Sequence, residues 1–275
     1  MTTPIVGSEH HKELFCRTFI ETHDGYKPSE LVFPEIDADS RARLSSLPIW
    51  DEAVNTECET AEKVARMADV ECDPLVREAI ALQGFEEHRH AALLQRLTQA
   101  YEIPVKQRTE PPNGEDPTWA FIRTEYGEWF DAFFAFGLFA FARDSGFFPP
   151  ALVTLFDPVM QEEARHVLFF VNWIAHRRAR LPLDLRMLLD FRRGLALSLQ
   201  ILSRIRTAFD LGGSEQDNFA MNSHESLGDF SLRDFLETCL RENDRLMGLY
   251  DPGLLRPRFI PRLAQMGLRV LPKKS

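Results

Sequence analysis

Cysteine is scarce: the chain of 275 residues has four, Cys16, Cys58, Cys72 and Cys239, and no Cys-x-x-Cys pair. That excludes zinc-finger spacing, and such sparse thiols are read as small buried hydrophobes in a reducing cytoplasm. Long apolar runs are also missing. The longest, 132–142, stops at Arg143, well short of the roughly 20 residues that a bilayer span needs. Glu9, His10, His11 and Lys12 stand where a secretory signal would be apolar, so no leader is expected. Basic charge is in deficit, with 32 Lys and Arg against 42 Asp and Glu and a net charge of −10. Nucleic acid is thereby disfavoured, because phosphate neutralisation needs a basic surface. Repeated alternation of apolar and polar residues bounded by turns is absent as well, which leaves no β pattern. The expectation is an all-α, cytoplasmic protein without a membrane span.

What remains is helical. The hydrophobic content of 44% suffices for one sizeable core with an appended segment. Residues 1–44 read as an N-terminal extension with a short helix near 12–23 and a turn of helix capped by Asp37 or Asp39. Residues 50–70 form a stretch free of Pro and Gly. Asp73-Pro74 starts a second helix over 74–101, since Pro is welcome in a first turn. A Pro-rich linker follows, long enough to cross a bundle. A third helix, dense in Phe, covers 118–144, and Pro149-Pro150 opens a fourth that runs to about 180. Asp157-Pro158 inside it predicts a kink. Two helical hairpins joined by one long crossover make a four-helix bundle over 45–180. Residues 181–275 then add helices over 183–210 and 231–249, a polar loop over 212–229 and a Pro-interrupted tail, all packed on the bundle.

Helices two and four carry the same pattern, Glu86-Glu87-x-Arg89-His90 and Glu162-Glu163-x-Arg165-His166. Glu87 follows Pro74, and Glu163 follows Pro150, by the same 13 residues. In each, Glu-x-x-His places a carboxylate and an imidazole one turn apart on one face. A lone copy would read as a surface pair; two copies at equivalent places point to metal. Oxygen and nitrogen donors together suit iron, manganese or zinc. The other two helices should each add an acid. Counting outward from the turns favours Glu57, with Glu59 and Glu52 as alternatives, and Glu128, with Asp131 and Glu125 still open. Four buried carboxylates would be neutralised by two divalent ions, whereas uncompensated burial is costly.

The set Glu57, Glu87, His90, Glu128, Glu163 and His166 resembles the ferritin-like di-iron carboxylate superfamily over about 45–180. The resemblance implies a ferritin-like bundle holding two iron ions, with manganese or a mixed pair as variants, that reacts with dioxygen or peroxide. The expected activity is that of an oxidoreductase, an oxidase or oxygenase acting on a small apolar organic substrate. The alternative is a ferroxidase, peroxide-scavenging or iron-binding protein without one. Electrons would come from a separate donor, since no rubredoxin-like cysteines exist, and the C-terminal helices could form a lid or a homodimer surface. Glu86, Arg89, Glu162, Arg165 and Asp131 are candidates to support the ligands. Thr124, Ala132, Ala135, Phe121, Phe139 and Phe170 are candidates for an apolar pocket, and Gly84 for a close helix approach. His88 and His176 fall on other faces.

Overall fold

The computed structural model describes residues 4–106, 108, 114–211 and 231–272, the side chains of 205–211 excepted. Among these the chain is all helix and turn, with no strand. The helices are α1 (Glu9–Glu21), α2 (Ala38–Ser46), α3 (Trp50–Val70), α4 (Pro74–Ala100), α5 (Pro117–Ser145), α6 (Pro150–Val153), α7 (Asp157–Arg180), α8 (Leu183–Leu211), α9 (Leu232–Met247) and α10 (Phe259–Val270). No described helix is long and apolar enough to cross a membrane.

The boundaries follow local chemistry. Asp37 caps α2 by accepting from Ser40 N, Asp73 caps α4 by accepting from Leu75 and Val76 N, and Asp116 caps α5 by accepting from Trp119 N. Pro occupies the first turn of both α4 and α5, where its missing N–H is no loss. Gly146 ends α5 with a left-handed φ of 66°, a conformation glycine adopts without penalty. A Ser231–Asp234 capping box opens α9.

Two local readings change. The long fourth helix, expected to kink at Asp157-Pro158, is divided instead. α6 passes through a 3-10 turn over Thr154–Phe156, and α7 starts at Asp157 with Pro158 in its first turn. A first-turn position is the one place in a helix where Pro removes no hydrogen bond. The tail is not merely interrupted by Pro: Pro261 sits near the start of α10, which continues to Val270. The polar loop expected over 212–229 lies outside the described residues.

Four helices close a ring, with α3 against α4 and α5, and α7 against α4 and α5. α1 docks on α4 and α7, so the N-terminal segment is part of the packing. α8 and α9 both pack on α5, and α10 packs on α9. Phe15, Phe19, Phe121, Phe133, Phe169 and Phe170 are all at most 2% exposed. Each contributes about 1.5–3 kcal/mol by leaving water. Gly84 allows the expected close approach: a Cβ there would lie 3.4 Å from Ala65 N on α3. The need for glycine is stronger at Gly137, where a Cβ would overlap Cys239 Sγ and sit 3.1 Å from its Cα. α9 therefore rests directly on the α5 backbone.

Candidate metal centre

The duplicated motif becomes a reciprocal cradle. Glu87 and His90 on α4 face Glu163 and His166 on α7, all four at most 6% exposed. Glu87 Oε1 lies 3.0 Å from His166 Nδ1, and Glu163 Oε1 lies 3.1 Å from His90 Nδ1. Within each helix the matching separations are 3.6 Å for Glu87 Oε2 to His90 Nδ1 and 4.0 Å for Glu163 Oε1 to His166 Nδ1. Each imidazole Nδ1 thus faces a carboxylate of its own helix and one of the opposite helix. Glu57 on α3 joins from the side, its Oε2 3.6 Å from His90 Nδ1. Ligand atoms of Glu57, Glu87, His90 and Glu163 all fall within 4.8 Å of one another, a grouping that could hold a metal ion.

The outer nitrogens are exchanged between motifs. His90 Nε2 donates to Glu162 Oε2 at 2.9 Å, and His166 Nε2 donates to Glu86 Oε2 at 2.8 Å. Arg89 pairs with Glu162 and Arg165 with Glu86. Carboxylates accept only, so each imidazole carries its hydrogen on Nε2 and turns Nδ1 inward. Both Nδ1 atoms, with Glu87 Oε2, are buried without a hydrogen-bond partner. Buried polar atoms are rarely left so, and inward-facing, unpartnered nitrogen and oxygen donors fit a bound ion.

Glu128 and His166, though expected as ligands, are not in that grouping, and α5 brings two acids to the neighbourhood. Glu128 Oε1 accepts from Thr60 Oγ1 at 2.8 Å, and Glu125 Oε1 accepts from Gln83 Nε2 at 2.7 Å. Glu125 is 1% exposed, against α5's outward-facing Asp131. Asp131, expected to support the ligands, instead pairs with Arg204 on α8 at 2.5 Å. One helical turn separates it from Glu128, but the side chain points away from the centre toward a cation. Glu52 and Glu59, the alternatives to Glu57, are held by Arg108, and Glu59 also by Lys63. His176 packs on His11 and Phe15.

Electrostatics confirm a crowd of acids. Burial, then the charges of neighbouring carboxylates, pushes Glu125 and Glu128 well above the usual carboxyl range. Burial pushes Glu57 up to about 8 against the pull of His90. For His90 and His166 burial alone would favour the neutral ring, but the surrounding carboxylates outweigh it and raise both. Glu86 runs the other way: despite burial, His166, Arg165 and His23 hold it down to about 2. Without an ion, the crowded carboxylates favour the charged form of both imidazoles and the neutral form of Glu57, Glu125 and Glu128.

Three contributors escaped the sequence reading, Thr60 beside Glu128 among them. Gln83 lies one turn before Glu87 on the same face, so helical spacing could have found it. His23, whose Nδ1 meets Glu86 Oε1 at 2.5 Å, follows the end of α1, and no periodicity ties it to the motif. The expected apolar pocket is also rearranged. Ala132 is buried, and Phe121 packs edge-on against Phe170 and Trp173. A cleft of about 140 Å³ opens farther along α5, lined by Phe136, Phe139, Ala140 and Met160 and rimmed by Arg143, Asp157, Glu242 and Arg245.

Compared with known proteins, the chain matches no family model, no curated protein and no solved structure.

Proposed function

We propose that the chain is a ferritin-like di-metal oxidoreductase, using a pair of iron ions, or manganese in one or both places, to oxidise a small organic substrate. The reading is carried by the reciprocal placement of Glu87 and Glu163 between the two inward Nδ1 atoms. Glu57, Glu87, His90 and Glu163 would hold one ion. Glu163, His166, Glu87 and Glu128 would hold the other, with Glu125 beside them. The bound pair supplies the redox chemistry with dioxygen or peroxide. The chain's own residues orient the donors, through Glu86 and Glu162, and exclude water behind the Phe-rich core. Electrons would come from a separate donor protein. The cleft beside Met160, one turn before Glu163, is the place for the substrate.

A second reading, a ferroxidase without an organic substrate, draws on two observations. The cleft's rim is charged, and the Glu57 side chain is 21% exposed, which gives an ion a way in. Metal analysis followed by an optical spectrum after ferrous iron and air tests the centre itself. Two ions per chain and a new charge-transfer absorption are expected. Purified protein that binds no iron or manganese overturns the proposal, and dioxygen uptake that follows iron supply alone selects the second reading.

A further inference from the structure

α8 carries apolar residues on two faces. Its bundle-facing side is mixed: Leu197 and Ile201 pack on the core, while Arg193 Nε donates to Tyr126 OH at 3.0 Å, Gln200 Nε2 donates to Arg123 O at 2.8 Å, and Arg204 pairs with Asp131. Among its described side chains, Leu189 and Ala196 are the buried ones. The outward side carries Leu188, Phe191, Leu195, Leu199 and Leu202, which are 48, 67, 41, 43 and 61% exposed. A surface helix normally keeps the face opposite its buried stripe polar.

We infer that this outward stripe is a dimer interface, and that its occupant is the α8 stripe of a second copy running antiparallel. The spacing is self-complementary. Leu188 and Leu202 each stand 7 residues from Leu195, and Phe191 and Leu199 each stand 4. A two-fold axis at Leu195 therefore sets Leu188 against Leu202 and Phe191 against Leu199, with Leu195 meeting itself, as an isologous contact requires. The area is of the right size. With Leu185 and Met187 at the edge, 46 and 66% exposed, the stripe bares on the order of 500–700 Å² of apolar side chain, at roughly 150–200 Å² per large residue. That exceeds most patches tolerated on monomers, and with a polar rim it reaches the ~800 Å² per partner of a stable interface.

A lipid surface fits less well. The net charge is −10, Arg193 and Arg204 turn toward the bundle to meet Tyr126 and Asp131, and Arg192 lies 3.9 Å from Asp116.

Light scattering on the full chain at micromolar concentration should give twice the chain mass. L195E should return it to the monomer mass with metal content unchanged, and L188E should do the same; because both sites are half-exposed, neither variant is expected to unfold. In a C72S background, L195C should form a covalent dimer under a mild oxidant, whereas L188C alone should not. A monomer at every concentration, or a dimer that survives L195E, overturns the inference. So does flotation of a monomer with phosphatidylglycerol vesicles, which assigns the stripe to lipid. A monomer whose stripe is protected from hydrogen exchange likewise overturns it and assigns the cover to residues 212–230 of the same chain. None of these outcomes depends on the metal reading.

Discussion

Glu87 and His166 meet across the bundle, Oε1 to Nδ1, at 3.0 Å, closer than Glu87 comes to His90 on its own helix, at 3.6 Å. The tighter partnership is between helices. In the proposed two-ion centre Glu87 would serve both ions, so loss of His166 should disturb both. H166A is expected to abolish most metal uptake rather than half of it. H176A, which removes a ring packed on His11 and Phe15, should leave uptake near the wild-type level. Metal analysis of the two purified variants checks this; equal loss in both would mean the ligand face has been misassigned.

The outer pairs make a separate prediction. Arg89 is 6% exposed and Glu162 is 2%, so R89A takes the close cation from a buried carboxylate and leaves it His90 Nε2 and Arg165, 3.8 Å away. Removing one partner of a buried pair costs about 3–5 kcal/mol, and the apo protein should lose stability on that scale in denaturant. E162Q keeps an acceptor for His90 Nε2 but weakens its hold on the ring. Metal affinity should fall about 10–100-fold, read by chelator competition. A variant that binds metal as the wild type does would show that the crossed bonds do not set ligand orientation.

The duplicated motif was legible because it needs only helical spacing: Glu87, His90, Glu163 and His166 share a face whatever the tertiary detail. Glu57 followed from counting away from the Cys72 turn, which works for a short antiparallel hairpin. The same count weakened for α5, because Ser145 through Phe156 contains a loop, a short helix and a 3-10 turn rather than one tight turn. Glu125, Glu128 and Asp131 therefore stayed open, and only packing separates them: Arg204 draws Asp131 outward, and Gln83 draws Glu125 inward. The role of α1 was not legible, since its docking on α4 and α7 is a long-range contact that leaves no period in the chain. Nor was the bare outward stripe of α8, because a hydrophobic pattern says that a face is apolar and not which way it points.

Metal binding should depend on pH with a definite sign. Glu57 is raised from its ordinary 4.5 to about 8, and His90 and His166 are also raised. Groups with raised folded-state values stabilise the apo protein at low pH, and that contribution is lost as pH climbs through the folded values. The metal-loaded form needs the same groups deprotonated, so binding releases protons. The difference in melting temperature between loaded and apo protein should thus widen as pH rises toward 8. Calorimetry in buffers of different ionisation enthalpy should record proton release. A gap that narrows with rising pH would contradict the assignment of these three residues as ligands.

The cleft offers the test that separates the two chemistries. Ala140 lines it beside Phe136 and Met160 and is 2% exposed, so A140L directs its added methyl groups into a space of about 140 Å³. Overpacking costs about 1–3 kcal/mol, which a folded chain of this size can absorb, and melting curves will show whether it has. If an organic substrate occupies the cleft, substrate-dependent dioxygen uptake should fall at least about tenfold, the effect expected of misfit by one or two methylenes. Metal content and the uptake driven by ferrous iron alone should not change, because the ligands lie on other turns of α5 and α7. Substrate-dependent uptake that A140L leaves intact would remove the cleft from the reaction. Ferrous-iron oxidation falling in step with it would instead make the cleft an ion route, a role its charged rim of Asp157 and Glu242 could serve.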